Sequence, residues 1–413
     1  MAYNSRPCDR GSTFSFNAVE QIDLKPFVLI LLFWIGGCQP PGEQHFVTLT
    51  IENELPISRQ HLPIRTTLDE LKAVAPDFTF DAFAIALGDP TNRQNPPQRI
   101  SYQADDFNYD GKKDELVFLV NLQPNETEEA IVQYVPTKEA KTPGDPIAIE
   151  LTFERKTRAG VFPSLAASVA MESNLSLYLL YPHGAVEAFD KTTSGLYLQQ
   201  LAQKESVVEL IKVEHSQALF GTGGFAIWDK ETQNFVSIDS ATDYVRVLVN
   251  GGIRSVVERI LPAVSVNKET AISVKHRAIV YADNAMLEQR VEISGGAGRF
   301  AVAVGLPSGE VNGQHLFRWQ AKAPSICIFS RSNNKKLDDS TLLLDSAAEW
   351  QTYIFKPEEN EITSLADFQE LMKVTNSALK SPPVITLSVP EKKKQRSTAQ
   401  PPTEKELGEK IRR

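Results

Sequence analysis

Apolar and polar residues alternate along much of this chain with a period of two, the spacing of strands that bury one face. His45-Phe46-Val47-Thr48-Leu49-Thr50-Ile51 is the first such stretch. Further strand-like runs cover 116–121, 130–135, 147–153, 175–181, 207–213, 244–249, 253–261, 271–281, 287–293, 300–304, 326–329 and 342–344. Asp110-Gly111, Asn250-Gly251-Gly252, Ser294-Gly295-Gly296 and Ser308-Gly309 supply turns between them. Helical periodicity is sparse. Thr67-Leu68-Asp69-Glu70 predicts a capping box for a short helix ending near Val74, and Ser364 opens another with Leu365, Phe368, Leu371 and Met372 on one face. So many strands with so little helix between them predict a mostly β chain: a large antiparallel β-sandwich over residues 44–385 with a few short helices. Residues 386–413 are polar and Pro-rich, the composition of a disordered tail.

One apolar run departs from the alternation. Lys25 precedes Pro26-Phe27-Val28-Leu29-Ile30-Leu31-Leu32-Phe33-Trp34, followed by Ile35-Gly36-Gly37-Cys38. The run is well short of the ~20 residues a membrane-spanning helix needs, and has the length of a signal-peptide core. Small residues just before a cysteine suit a lipoprotein signal peptidase. Residues 1–38 are thus read as a lipoprotein signal peptide with Cys38 as the lipidated residue, and residues 39–43 as a tether. Gln39 after the cysteine fits sorting to the outer membrane, facing the periplasm or the surface. A buried strand is the alternative, but Gln39-Pro40-Pro41-Gly42 breaks it at once.

Composition narrows the partners. The net charge is −9 and the basic run Lys392-Lys393-Lys394-Gln395-Arg396 lies in the polar tail, so a nucleic-acid surface is not expected. Of the 3 cysteines, cleavage removes Cys8 and lipidation consumes Cys38, which leaves Cys327 alone in an apolar run. It reads as a small buried hydrophobe.

Asp106-Phe107-Asn108-Tyr109-Asp110-Gly111-Lys112-Lys113-Asp114 reads D-x-N-x-D-G-x-x-D. Oxygens from Asp106, Asn108, Asp110 and Asp114, with the Lys112 carbonyl, suit a structural Ca²⁺, a hard cation that takes six to eight oxygen ligands. Gly111 permits the sharp turn. The EF-hand's glutamate at position twelve is absent, since Val117 stands there, and a strand follows instead of a helix. A metal-free Asp/Asn/Gly turn is the competing reading.

Segments in order along the chain resemble an exported family known as domain of unknown function 4861. They begin with Val47-Thr48-Leu49-Thr50-Ile51-Glu52-Asn53-Glu54-Leu55-Pro56-Ile57-Ser58-Arg59 and continue through Gln103–Gly111 and Asp114–Phe118. Gly221-Thr222-Gly223-Gly224-Phe225-Ala226-Ile227-Trp228, Arg246–Arg254 and the stretch from Trp350 to Ser364 complete the set. The resemblance implies a galactose-mutarotase-like supersandwich and a role in the use of acidic polysaccharides such as pectin or alginate. Two departures stand out. Leu201-Ala202-Gln203-Lys204-Glu205-Ser206-Val207-Val208-Glu209 replaces a histidine-rich segment, and Leu175 and Leu179 stand where arginines are expected.

Candidate chemistry follows from residue type. Sugar-processing sandwiches commonly pair a histidine with a carboxylate as acid and base, and His183, His215, Glu214 and Glu258 are the candidates. Arg246 and Arg254 flank the Asn250-Gly251-Gly252 turn and could clamp a sugar carboxylate, or pair with Glu258 or Asp243. Trp228 and Trp319 could stack on a sugar ring or belong to the core. Two functions are expected from this set: binding, with hydrolysis, elimination or isomerisation, of uronate-containing oligosaccharides, or a non-catalytic accessory role.

Overall fold

The computed structural model describes residues 45–389 apart from 90–93, 95, 137–153, 166, 168, 204–209, 213–218, 239–241, 268, 269, 297, 322 and 357–361. Cys38, the expected signal peptide and tether, Glu214, His215, the expected strand over 147–153 and the chain beyond 389 lie outside the described residues.

Among the described residues the strands form five sheets in which every strand pair is antiparallel. An N-terminal pair of sheets comes first. One contains β1 (His45–Glu52), β3 (Phe83–Leu87), β4 (Gln98–Arg99), β7 (Thr127–Tyr134) and β26 (Val384–Ser388). Its partner holds β2 (Arg59–Thr67), β5 (Tyr102–Asp105) and β6 (Glu115–Leu122). The alternation noted in the sequence puts Val47, Leu49 and Ile51 inward against Leu116, Phe118 and Val132. Helix α1 (Leu68–Val74) closes this core with Leu71, and its capping box forms as expected: Thr67 Oγ1 accepts from the Glu70 N–H, and Glu70 accepts from the Thr67 N–H.

The largest sheet runs in the order β15 (Tyr244–Asn250), β16 (Arg254–Ser265), β17 (Ala271–Tyr281), β18 (Met286–Ser294), β25 (Ala347–Phe355), β22 (Ser325–Ser330), β21 (His315–Arg318) and β20 (Glu310–Asn312). Two smaller sheets supply core against one of its faces. They are β8 (Thr157–Gly160), β9 (Val169–Ser173), β10 (Ser176–Leu180), β11 (Val186–Lys191) and β12 (Leu210–Lys212), and β13 (Phe225–Asp229), β14 (Asn234–Val236), β19 (Phe300–Gly305), β23 (Asn334–Asp338) and β24 (Thr341–Leu344). Met171, Tyr178, Phe225 and Val302 meet Val257, Val280, Leu287 and Trp350 there. Two short helices complete the framework, α2 (Leu198–Ala202) and α3 (Leu365–Lys380).

The other face of the largest sheet is covered only in parts. Val117 and the partly buried Leu119 of β6 pack on Val256, Ile279, Tyr281 and Met286. Phe368 and Met372 of α3 pack on Phe317, Cys327, Phe329 and Phe355. The expected amphipathic helix thus seals one patch with Ser364 as its N-cap, and Cys327 is a fully buried core residue. The two patches meet at Tyr353, and beside them the same face carries charged side chains.

The Gly221–Gly224 stretch owes its composition to close backbone approach. A Cβ at Gly221, whose φ is +55°, would sit 2.1 Å from the Val186 carbonyl oxygen.

His276 is buried in the layered core, its ring 4.8 Å from that of Phe225 and its Nε2 3.2 Å from Gln289 Oε1. Burial, with the charge of Arg259 adding to it, pulls its pKa down to about 3. The folded state therefore holds His276 neutral while the unfolded chain takes up a proton near the ordinary value of about 6.5. Stability is lost as pH falls from about 6.5 towards about 3, by roughly 2–3 kcal/mol at about pH 4.5. Urea unfolding at neutral pH and near pH 4.5 should show this slope, and His276→Gln should flatten it.

Candidate functional site

The polar zone of the largest sheet is built around two buried carboxylates. Glu258 on β16 has a fully buried side chain. Arg246 on β15 donates to its Oε1 through Nε at 3.0 Å and also through Nη2. Arg277 on β17 donates to Oε2 at 2.8 Å, and Lys275 Nζ lies 3.4 Å from the same oxygen. Burial pushes the Glu258 carboxyl up, but the bonds from Arg246 and Arg277 and the charge of Lys275 outweigh it and hold the group below the usual carboxylate range.

Glu288 on β18 repeats the arrangement. Its Oε1 accepts from Arg65 of β2 at 3.1 Å and from Arg290 at 2.8 Å. Burial again raises this carboxyl, and Arg65, Arg290 and Arg331 pull it below its ordinary value. Arg290 also reaches Glu349 on β25 at 3.5 Å, and Arg331 donates to Glu349 at 2.8 Å. The two sets of partners differ in exposure. Glu258 and Glu288 are 0% and 1% exposed, whereas Arg246, Lys275, Arg290 and Arg331 keep 49%, 44%, 36% and 34% of their side chains in solvent. The anions are sunk into the sheet and the cations face outward.

Beside Arg331 and Glu288 opens a groove of about 550 Å³ between β2, the β17–β18 turn, β25 and α3. A hydrogen-bonded chain runs along it: Tyr353 donates to Gln351 Oε1 at 3.1 Å, and Gln351 to Glu288 Oε2 at 3.4 Å. His61 and Asp283 also line the groove. Burial pushes the Asp283 carboxyl up, while Lys156, Asn174 and the charge of His61 bring it below its usual range.

The other expected residues fall elsewhere. Arg254, on the same strand as Glu258, is 1% exposed. Its Nε donates to Asp105 at 2.6 Å, Nη1 donates to Glu115, and the Phe107 ring lies 4.9 Å away. It joins the three-stranded N-terminal sheet to the largest one and is closed to a ligand. His183 lines a separate cavity of about 500 Å³ with Phe235 and Ile238, its ring 5.6 Å from that of Tyr181. The neighbouring Tyr181 and Pro182 carbonyls accept from Arg259, which follows Glu258 and so points to the opposite face of β16. His183 and Glu258 are not brought together. Trp228 is buried among Ala301, Ala303 and Phe235, and Trp319 packs 5.4 Å from Phe368 of α3.

The 106–114 loop is an exposed turn laced by its own oxygens. Asp106 accepts from the Tyr109 and Gly111 N–H groups, Asn108 Oδ1 from Asp110, Asp110 Oδ1 from Lys112, and Asp114 Oδ2 from Phe107. Gly111, at φ +84°, makes the turn foreseen for it. Among the described residues, no three Asp, Glu, His or Cys side chains group closely enough to hold a metal ion. The loop presents Tyr109, 55% exposed, whose hydroxyl donates to the Val247 carbonyl beside Arg246.

Arg246 and Glu258 are expected from the sequence; Arg65, Glu288, Arg290, Arg331, Glu349 and Tyr109 are not. The available signal was charge at alternate positions inside otherwise apolar strands, as in Val274-Lys275-His276-Arg277-Ala278 and Leu287-Glu288-Gln289-Arg290-Val291.

Residues 51–153 match the model of the family described as Domain of unknown function (DUF4861). No curated protein matches the sequence. Among solved structures, the chain is similar to a protein in the glycosyl hydrolase family 38 from Enterococcus faecalis, with a TM-score of 0.51 and 10% identity, covering 83% of this chain and 47% of that one. An alpha-mannosidase from the same organism gives 0.49, 10%, 83% and 46%. The chain thus spans about half the length of these structures.

Proposed function

We propose, with the DUF4861 match as premise, that this chain is an exported lipoprotein anchored through Cys38, and that its largest sheet binds acidic, uronate-bearing oligosaccharides. The observation that carries the binding reading is the separation of charge on the polar zone: buried Glu258 and Glu288, with Arg246, Lys275, Arg290 and Arg331 directed to solvent. A guanidinium held at one edge by a buried carboxylate keeps its remaining N–H donors for a second one, and its planar fork suits the carboxylate of a sugar acid. This local excess answers the objection raised by a net charge of −9. The shared fold with a protein of glycosyl hydrolase family 38 agrees with a carbohydrate ligand.

Calorimetry on the purified protein tests the reading. Oligogalacturonate or oligomannuronate should bind with an affinity that falls as salt rises, neutral oligosaccharides of equal length should not bind, and Arg290→Ala should weaken binding by roughly fivefold. Neutral sugars binding as well as acidic ones would refute it.

A second reading, turnover of the same ligand, rests on His61 and Asp283 in the adjoining groove. His61→Ala should then abolish product formation from uronate oligomers and His183→Ala should leave it intact.

The 106–114 loop joins this reading as a calcium-stabilised element in which Asp106, Asp110 and Asp114, apart in the structure, would close in on the ion with Asn108 and the Lys112 carbonyl. Calcium there would brace the turn that carries Tyr109. At roughly 1 mM Ca²⁺ a site of extracellular affinity adds up to about 1.4 kcal/mol, so chelation should lower Tm slightly and Asp110→Ala should remove the difference.

A further inference from the structure

The cations of the polar zone stand in a line. Strand register places Arg246 opposite Glu258, Glu258 opposite Arg277, Arg277 opposite Arg290, and Arg290 opposite Glu349. On the next strand Ser330 is opposite Trp350, and the Arg331 N–H donates to the Glu349 carbonyl at 2.9 Å, which extends the same register by one residue. Residues directly opposite one another share a face of the sheet. The result is one side chain from each of six adjacent strand paths, Arg246–Glu258–Arg277–Arg290–Glu349–Arg331, in a row perpendicular to the strands. Four are guanidinium groups and two are carboxylates, and of the carboxylates Glu258 is buried.

We infer that this row is a linear track for an extended polyuronate segment that crosses the strands, an assignment that rests on the uronate reading above. Neighbouring strands lie ~4.8 Å apart, so the row is about 24 Å long. A pyranose ring adds a length close to one strand spacing, so a chain of sugar acids laid along the row offers a carboxylate about once per strand. A pocket for a single sugar acid would need its cations to converge; here they are strung out. The row also has an edge. Phe107 of the 106–114 loop lies 5.4 Å from the Arg277 guanidinium, and the exposed Tyr109 ring stands by the Arg246 end, where it offers an aromatic face to a sugar ring.

The test is a length series of homogeneous oligogalacturonates from one to eight units, titrated into the full-length protein by calorimetry at low and moderate salt. The track requires affinity to climb, by about threefold for each added unit that reaches one of the four guanidinium groups, and to level off at about five or six units, with one chain bound per protein. Arg246→Gln and Arg331→Gln, at the two ends, should each reduce affinity for the hexamer more than for the dimer; an equal loss for both lengths overturns the track. Affinity that stops rising at two units overturns the track and leaves the uronate reading standing. No binding of any uronate oligomer defeats both. Single-stranded DNA of matched charge that binds as tightly as the hexamer would show that the row reads charge alone, and would overturn the assignment to a polyuronate.

Discussion

Arg254→Ala lowers the free energy of unfolding by roughly 3–5 kcal/mol, the usual cost of removing one partner from a buried ion pair. The guanidinium has no route to water, and it holds two carboxylates from the three-stranded N-terminal sheet, Asp105 and Glu115. Gln103 reinforces the joint: its Oε1 accepts from the Ile253 N–H at 2.9 Å and its Nε2 donates to the Arg254 carbonyl at 3.1 Å. Truncation leaves Asp105 buried without its counter-charge. Arg254→Lys restores charge but not the fork, so its loss should be intermediate. Denaturant unfolding curves give the ordering directly. An Arg254→Ala protein as stable as the parent would mean that the joint contributes nothing.

Lys191→Met carries a penalty of similar size, roughly 3–5 kcal/mol. Lys191 and Glu172 are both fully buried, with Nζ 2.6 Å from Oε2. Nζ also donates to the Ser173 and Gly195 carbonyls, and Glu172 accepts from the Tyr197 and Leu198 N–H groups. This knot fixes the loop between β11 and α2 onto β9. Replacing the lysine alone strands an ionised carboxylate in the interior. Lys191→Met combined with Glu172→Gln should recover part of the loss, since the charge is then gone, and the two effects should be non-additive.

The β architecture was legible because burial on one side of a strand writes a period of two into the sequence. The run over 271–281 coincides with β17, and Ser364 and Thr67 cap the helices expected of them. Strand β2 escaped notice because Arg59-Gln60-His61 opens it with polar residues around a break in register between Arg59 and Leu62. The boundary expected at 385 fell inside β26, whose Thr386 and Ser388 point away from the core. The pairing of Arg246 with Glu258 was within reach, since the two sit across a single hairpin. Arg290, Glu349 and Arg331 were not, because the register that aligns them belongs to strands distant in sequence. Arg254 misled for another reason. Both faces of β16 are covered at that point, so alternation cannot separate an outward cation from an interior one.

The partnership of β26 with β1 has a consequence for keeping the protein monodisperse. Leu49 lies opposite Leu387 and Ile51 opposite Ile385, so the first strand of the described residues takes one neighbour from their far end. Without that neighbour the outer edge of β1 would carry unsatisfied peptide groups, open to a strand from another molecule. A version lacking residues 384–388 should therefore self-associate through the exposed rim of β1, which size-exclusion chromatography would show as a concentration-dependent shift.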